Sequence, residues 1–476
     1  MRLPAKKHRP ASPHHRWHRR ARHAGRLAGF GLAAVPWLWA SAAMAQSEEN
    51  PTATAVEDSV VNRPRPEFDP IGISPGMLLT GGQEPRGRGI ATALDSFNLF
   101  PTMGVETYYT DNVFETAERK ADLTTLLQPG LELRSDWDNH EFKLGASASL
   151  ERNVSNPSAN STDYEIHSST RLDIDEGQYA EARLSHKQGH ETNSILVSTI
   201  GQGTFNTGTK PIIFEDDSAA LTWSRQPGDI LIRADGTARH LYFNNRSLSP
   251  SGLQIESNLN HWEYDSHLRL GYEAFDNTIL FVEPGLSVRR YDSSPTDYPQ
   301  LAGSVDDRDS NGGQLLAGVT YNASSVTLLD FGVGYVQRNF TDPNLPRANG
   351  LAARGALTWN PTDLITVGAS LNRDIVESTT FGIAGFFRTA GRLSVDYEYD
   401  YNVILSSSIE YADETSISRP GLGEDIKDLQ ATVSATYLIN EYARARAGYR
   451  YEDLANTVES QSFRENQIFL RLDLFY

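Results

Sequence analysis

One stretch of sequence decides the fold: Ile468-Phe469-Leu470-Arg471-Leu472-Asp473-Leu474-Phe475-Tyr476. One face of this stretch would carry the apolar set Ile468, Leu470, Leu472, Leu474 and Tyr476. The other face would carry Arg471 and Asp473. A period of two residues is typical of a β-strand, because successive side chains point to opposite sides of a sheet. The stretch therefore predicts a strand with one apolar and one charged face.

The same residues resemble the terminal β-signal that the outer-membrane assembly machinery reads. That signal ends in an aromatic residue and has apolar residues at alternate positions before it, as Tyr476 and the four aliphatic residues do here. The alternative is an ordinary amphipathic edge strand. The terminal aromatic favours the β-signal, and we therefore expect the assembly machinery to be a partner of this chain.

The same alternation recurs along residues 100–476 in segments of about 10–14 residues, close to the length that crosses an outer membrane. In residues 162–174, Tyr164, Ile166 and Leu172 share one face. In residues 441–453, an alanine and tyrosine face opposes Arg444, Arg446 and Arg450. The whole region therefore predicts strands of one kind.

The connections between these segments alternate between short and long. The short ones are rich in Asp, Asn, Gly and Pro, as tight turns require, and fall near residues 136–140, 175–178, 226–229, 274–277, 322–325, 360–363, 398–402 and 439–441. The long ones fall near residues 111–122, 153–161, 190–210, 244–260, 292–311, 341–350, 377–385, 413–425 and 454–462. Short periplasmic turns and longer external loops are typical of outer-membrane barrels. Eight short and nine long connections predict about 18 strands, with both chain ends in the periplasm.

A soluble β-sandwich would also alternate, but the predicted strands are longer than the usual five or six residues of soluble sheets. Aromatic residues make up 10% of the chain. Many lie toward predicted strand ends, as in a membrane-interface girdle: Trp137, Trp223, Tyr291, Tyr335, Trp359, Tyr411 and Tyr437. In lipid every backbone polar group must be paired, so a strand protein has to close on itself. We therefore predict an all-β fold, a transmembrane antiparallel up-and-down β-barrel.

The first 45 residues differ from the rest. Nine Lys and Arg residues precede an apolar core at residues 27–40, and Ala43-Met44-Ala45 then stands before Gln46. This order predicts a secretory signal peptide cleaved between Ala45 and Gln46. A membrane anchor is the alternative, but the core is too short and contains Pro36. Residues 46–99 hold six prolines without any strand or helix period and predict a disordered periplasmic linker before the barrel at residues 100–476.

Composition excludes several classes of function. The chain has no cysteine, which excludes disulfides, thiolate metal sites and cysteine nucleophiles. Loss of residues 1–45 would remove nine of 43 basic residues and no acidic one, which leaves 34 against 61. Because nucleic-acid binding needs positive charge, we expect no nucleic-acid partner. The sequence indicates no cofactor, and neither a dinucleotide fingerprint nor a nucleophile elbow is present.

The polar faces predict a charged lumen wall, for which we name Arg171, Arg183, Arg233, Arg239, Arg269, Arg354, Arg388, Arg392, Arg444, Arg446, Arg450, Arg471, Glu273, Asp396 and Glu452. These charges could serve as cross-strand ion pairs that stabilise the wall. They could instead form a track that selects an anionic solute. We expect Arg269 to face a water-filled lumen, where its replacement mainly alters ion preference, and Leu270 to face lipid.

Two further groups of residues allow a functional interpretation that we do not adopt. His186, His190 and Glu191 could belong to an enzyme at the external rim, but a solvated strand end explains them better. Asp306-Asp307-Arg308-Asp309 could bind calcium through carboxylate oxygens. A solvated loop that faces lipopolysaccharide is the simpler interpretation.

The start of the chain resembles a known family. The residues are Arg63-Pro64-Arg65-Pro66-Glu67-Phe68-Asp69-Pro70-Ile71-Gly72-Ile73, Phe100-Pro101, Tyr109-Thr110-Asp111-Asn112-Val113-Phe114, Asp122 and Pro129-Gly130-Leu131. They are similar to the beginning of the "putative β-barrel porin 2" family of Gram-negative bacteria, whereas residues 81–93 look like an insertion. The resemblance implies an outer-membrane barrel, often associated with capsule or exopolysaccharide export, and it names no substrate.

Together these observations favour a passive outer-membrane pore that passes a polysaccharide or small hydrophilic solutes and catalyses nothing. Outer-membrane lipid and lipopolysaccharide would surround it, and a polysaccharide-export system is a candidate partner. The alternatives are a surface-binding or structural barrel without transport, and an enzyme at the rim.

Overall fold

The structure, a computed structural model, describes residues 90–91, 96–195, 211–244, 246–248, 252–254, 257–297, 306–323, 327–378 and 380–476. The predicted signal peptide, its cleavage site at Ala45 and Gln46, and most of the predicted linker lie outside these residues. None of the described residues forms a helix long and apolar enough to cross a membrane.

Long strands account for most of the described residues. In chain order they are β1 Phe97–Thr110, β2 Asp122–Ser135, β3 His140–Asn153, β4 Ser161–Asp175, β5 Gln178–Glu191, β6 Ile212–Arg225, β7 Ile230–Phe243, β8 His261–Phe275, β9 Thr278–Tyr291, β10 Ser310–Ala323, β11 Thr327–Phe340, β12 Ala348–Thr362, β13 Ile365–Val376, β14 Ile383–Asp400, β15 Val403–Ser418, β16 Asp425–Asn440, β17 Ala443–Asn456 and β18 Phe463–Phe475. A short hairpin, Arg246–Leu248 with Gly252–Gln254, lies in the connection between β7 and β8.

The eighteen strands form one closed sheet. Each strand pairs antiparallel with its neighbours in sequence, and β1 pairs with β18 from Thr102↔Phe475 to Thr110↔Gln467. The predicted all-β barrel with 18 strands is confirmed. The first strand begins at Phe97, and the short strand Ile90–Ala91 pairs with Leu99 and Asn98 beyond the end of β18.

The two faces of the strands differ in burial, as the period of two predicts. On β8, Leu270 is 43% exposed, whereas the neighbouring Arg269 is 3% exposed. Exposed aromatics of the outer face or its turns include Trp137, Trp359 and Tyr437. Tyr291, expected in the aromatic girdle, instead stacks on buried His261 with ring centroids 4.8 Å apart. The girdle assignment of Tyr291 was wrong because Tyr291 shares the inner parity of Arg289 at the end of β9.

The strand ends that flank the short connections lie at one end of the barrel and those that flank the long connections at the other, here called the short-connection end and the long-connection end. Gly177, Gly228 and Asn277 have φ of 75°, 64° and 61° in the short connections, where a left-handed backbone favours Gly and Asn. One boundary differs clearly from the prediction, because β15 continues through Ser418 instead of ending near residue 413. The sequence predicted a long connection from residue 413, but Asp413 lies opposite Lys427 on β16, and Glu414 lies on the inner face.

Candidate functional site: the inner wall and the long-connection end

Most inner-face arginines are held by carboxylates. Between β6 and β9, Arg239 pairs with Asp216 at 2.5 Å and with Glu263 at 3.5 Å. Arg289 continues the chain of charges through Glu263 at 3.1 Å and Asp265 at 3.0 Å. These charges are largely withdrawn from water, so they are stable only as a mutually paired set.

Arg269 is the centre of a second network. Its guanidinium contacts Glu283 and Asp330, each at 2.6 Å, and Arg354 shares Glu283 at 2.8 Å. The Arg269 guanidinium also lies 3.9 Å from the ring centre of Phe281. Arg269 lies on the inner face, as the alternation predicts, but its side chain is almost fully buried among these partners and not open to a water-filled lumen.

The arrangement around Arg269 depends on two glycines. Gly318 on β10 and Gly332 on β11 lie directly beneath the Phe281 ring, which would collide with a Cβ at Gly318. Because both strands lack inward side chains there, Arg269 on β8 reaches Asp330 on β11. Alternation in the sequence gives the face of each residue but not such contacts across several strands.

The remaining predicted wall residues have shorter-range partners. The pairs are Arg171–Asp173 at 3.0 Å, Arg183–Glu181 at 2.6 Å, Arg233–Asp235 at 2.9 Å, Arg388–Glu414 at 3.9 Å and Arg392–Glu410 at 2.7 Å. Asp396 accepts a hydrogen bond from Ser406 at 2.6 Å. Glu273 accepts one from the backbone N–H of Asn277 at 3.2 Å, at a short connection. These contacts favour a stabilising role for these residues.

Four predicted arginines lie on the inner faces of β17 and β18, from the middle of the wall toward its short-connection end. Arg444 and Arg471 share Asp473, at 3.1 and 2.7 Å, and Arg450 contacts Glu106 at 2.8 Å. The fourth, Arg446, donates to Thr436 Oγ1 at 3.2 Å. Sequence analysis did not single out Glu106, although Glu106 has inner parity on β1.

The connection after β5 enters the barrel. Ser194 Oγ and the backbone N–H of Ile195 donate to Asp428 Oδ2 at 3.0 and 3.1 Å, and Asp428 lies on β16, far from β5 in the sheet. Ile195 is fully buried in an apolar cluster with inner-face residues, namely Ile383, Phe386, Ala412, Ile426, Leu454 and Phe463. We call residues 192–195 the inward segment, since they cross the inside of the long-connection end.

Carboxylates surround the inward segment. Glu452, predicted as a wall residue, lies directly opposite Glu465 in the register of β17 and β18. On the β1–β2 connection, Glu115 accepts a hydrogen bond from the backbone N–H of Asn193 at 2.6 Å. Burial, reinforced by the nearby charge of Glu465, raises the pKa of Glu115 to about 7. Glu115 also has φ of 49°, a left-handed conformation costly for a residue with a Cβ.

Hydrogen bonds and ion pairs join several of the other long connections. Asp306 accepts from Arg419 Nη2 and from the backbone N–H of Gly382, both at 2.6 Å. Arg419 also contacts Asp342 at 3.3 Å. Within the described part of the chain, no cluster of His, Asp and Glu has the arrangement of a metal site. The Asp306 carboxylate thus serves to hold three connections together.

The candidate rim residues do not form one catalytic group. His186 contacts Asp217 at 2.7 Å and lies on the outer parity of β5 together with exposed Leu184. His190 contacts a different carboxylate, Asp163, at 2.8 Å. Glu191 is buried at the end of the same strand. The arrangement is that of separate ion pairs at a strand end.

Comparisons with known proteins agree with this architecture. The family model described as "Putative beta-barrel porin 2" matches residues 89–475. No curated protein matches the chain. Among solved structures, the outer membrane protein OpdK of Pseudomonas aeruginosa is 11% identical with a TM-score of 0.42, covering 80% of this chain and 99% of its own. A BenF-like porin of Pseudomonas fluorescens Pf-5 is 8% identical with a TM-score of 0.41, covering 81% and 100%.

The family match, unlike these structural likenesses, is strong enough to assign the chain to a family. It includes the entire closed sheet, from the first residue of β1 to the last residue of β18. An apolar outer face, a charged inner face and complete strand closure are what an outer-membrane barrel requires. The chain belongs to the β-barrel porin 2 family and is an outer-membrane β-barrel of the porin type.

Proposed function

We propose that the protein is a passive pore that lets hydrophilic solutes cross the outer membrane and that it catalyses nothing. The observation that carries this proposal is the inner face, which is charged or hydroxyl-bearing along much of an eighteen-strand closed barrel. Side chains do not fill a barrel of this size, so water enters it. The separate ion pairs of His186 and His190 offer no nucleophile-and-base arrangement.

The pairing pattern supports a definite orientation. We assign the short connections and both ends of the chain to the periplasm, and the long connections to the cell surface beside lipopolysaccharide. In this orientation Ile468, Leu470, Leu472 and Leu474 of the β-signal present their exposed side chains to lipid, and the assembly machinery would meet them there. The signal peptide and the periplasmic linker remain predictions.

The cell-surface end is narrower than an empty barrel. Ile195 crosses it on one side, and Leu259 of the β7–β8 connection packs on inward Ile212 and Phe243 on the other. This arrangement favours small hydrophilic solutes over a polymer. The alternative cargo is a polysaccharide, which the family resemblance suggested.

Single-channel recording in a planar bilayer tests the proposal. A purified barrel that migrates with heat-modifiable mobility should give steady conductance in KCl. Neutral polyethylene glycols of increasing size should stop lowering the conductance once they no longer enter, which measures the narrowest part. A folded barrel without conductance would contradict the pore and favour a surface-binding or structural barrel.

A further inference from the structure

Four arginines, Arg444, Arg446, Arg450 and Arg471, share the inner faces of β17 and β18. Arg444 and Arg471 pair with Asp473, and Arg450 and Arg471 pair with Glu106. Elsewhere on the described wall, carboxylates hold arginines such as Arg239, Arg269 and Arg289. Positive charge is therefore concentrated on this part of the wall, and Arg446 is the member of the group whose charge is not matched by an ion pair in the part of the chain that the structure describes.

Arg446 has the least complete set of partners in this group. It lies directly opposite Arg471 in the register of β17 and β18, and like charges in such a pair repel. Among the described residues its one hydrogen bond goes to Thr436 Oγ1, and no carboxylate lies within ion-pair distance. Because a guanidinium has five N–H donors, most of those of Arg446 remain available to a solute.

Neighbouring side chains hold two of the other arginines in place. Arg450 lies 4.0 Å from the ring centre of Phe469, and Arg471 donates to Gln128 Oε1 at 2.5 Å. In the part of β15 and β16 nearest to them, the inner parity carries small hydroxyl side chains beside Glu410 and Gln430, namely Ser406, Ser408, Thr432, Ser434 and Thr436. Such a wall offers hydrogen-bond partners to a hydroxylated molecule held by the arginines.

We propose that the arginine group and this hydroxyl-bearing strip form a subsite for the carboxylate of a small hydroxylated solute, such as a sugar acid. A guanidinium recognises a carboxylate through two parallel hydrogen bonds, and the bound anion would offset the repulsion between Arg446 and Arg471. This proposal rests on the proposed function, and it names small hydroxylated acids as the class of solute that the pore would pass.

The test compares block of the single-channel current by gluconate, glucose and inorganic phosphate. Gluconate should interrupt the current at lower concentration than neutral glucose. Arg446→Gln should weaken gluconate block roughly tenfold, as expected for a lost charged hydrogen-bond pair. Arg446→Lys should recover part of the block, since lysine keeps the charge but not the two-pronged geometry.

Arg464→Gln is the matched control. Arg464 lies on β18 with Arg471, is 60% exposed on the outer parity and pairs with Asp453, so its loss changes net charge equally. Its gluconate block should equal that of the unaltered protein. Equal block by gluconate and glucose, or block by phosphate alone, would overturn the carboxylate subsite while leaving the pore intact. Absence of any current from a folded barrel would overturn the pore itself.

Discussion

At the scale of single residues, neighbours in the sequence have opposite surroundings. Arg392 on β14 pairs with Glu410 across the inner wall and has a side chain 40% exposed. The next residue, Leu393, is 47% exposed on the outer face. Since exposure is alike at both positions, a reagent that dissolves only in water distinguishes the lumen from lipid there.

Single cysteines in this cysteine-free chain should show the difference. In membranes, Arg392→Cys should react with a water-soluble thiol reagent, and Leu393→Cys should react only after detergent extraction or unfolding. Mass spectrometry of the labelled protein measures both. The reverse pattern would exchange the two faces of β14 and remove every inner-wall assignment on that strand.

Arg269 is expected to affect stability more than ion preference. Arg269→Gln leaves Asp330 buried without its cation, and loss of one member of a buried pair costs about 3–5 kcal/mol. Arg171→Gln breaks the more exposed pair with Asp173 and should cost less than about 1 kcal/mol. Urea unfolding of the two variants in lipid gives both values. Equal losses would contradict the buried network.

At the scale of elements, the sequence predicted the strands better than the segments between them. Alternation and turn residues placed the short connections within a few residues, because tight turns have local sequence requirements. The inward segment could not be predicted, since residues 193–195 have no period and their partner Asp428 is more than two hundred residues away. The ion-pair partners of Arg269 and the role of Glu106 depend on the same kind of distant contact.

The inward segment should respond to pH through Glu115. In the held state, the inward segment lies inside the barrel and Asn193 donates to Glu115. The pKa of Glu115 is then about 7 instead of the usual 4.5. Between these two pH values the held state binds a proton that a released, water-exposed Glu115 would lose. The stabilisation of the held segment that comes from this proton is complete below about pH 4.5 and is lost as the pH rises through about 7. His190, Glu151 and Glu465 share these surroundings and modulate the effect.

We therefore expect more current fluctuations from release of the segment at pH 8 than at pH 5. Glu115→Gln stays neutral and retains an oxygen for the Asn193 N–H, so it should remove most of this pH dependence. Single-channel noise measured at the two pH values is the readout, and Glu118→Gln, on the same connection and exposed, is the control. An unchanged pH response in Glu115→Gln would exclude this carboxylate as its source.

At the scale of the whole molecule, the seam between β1 and β18 completes the fold. Beyond the last strand, the Tyr476 N–H donates to the Pro101 carbonyl at 3.2 Å, and the Tyr476 ring stacks near Tyr442 with centroids 6.3 Å apart. The closed barrel and its strand number followed from the sequence, because the count of connections fixes the count of strands. The inward segment could not be predicted in the same way, because alternation gives the face of each strand residue but not the path of a connection.

Tyr476→Lys should impair assembly, because it replaces the terminal aromatic of the predicted β-signal with a charge. Heat-modifiable migration of outer-membrane fractions measures the folded amount. Tyr401→Lys, in an exposed short connection at the same end, should leave that amount unchanged. Normal levels of folded Tyr476→Lys barrel would contradict the β-signal assignment.

The seam also fixes the order of events during biogenesis. Thr110 on β1 bonds to Glu465 on β18 across a separation of 355 residues. Until β18 is delivered, β1 and β17 each present a row of unpaired backbone groups, which hydrocarbon does not tolerate. Entry into the bilayer and closure of the ring must therefore occur together, and a nascent chain that stops after β17 would remain an open sheet that the membrane excludes.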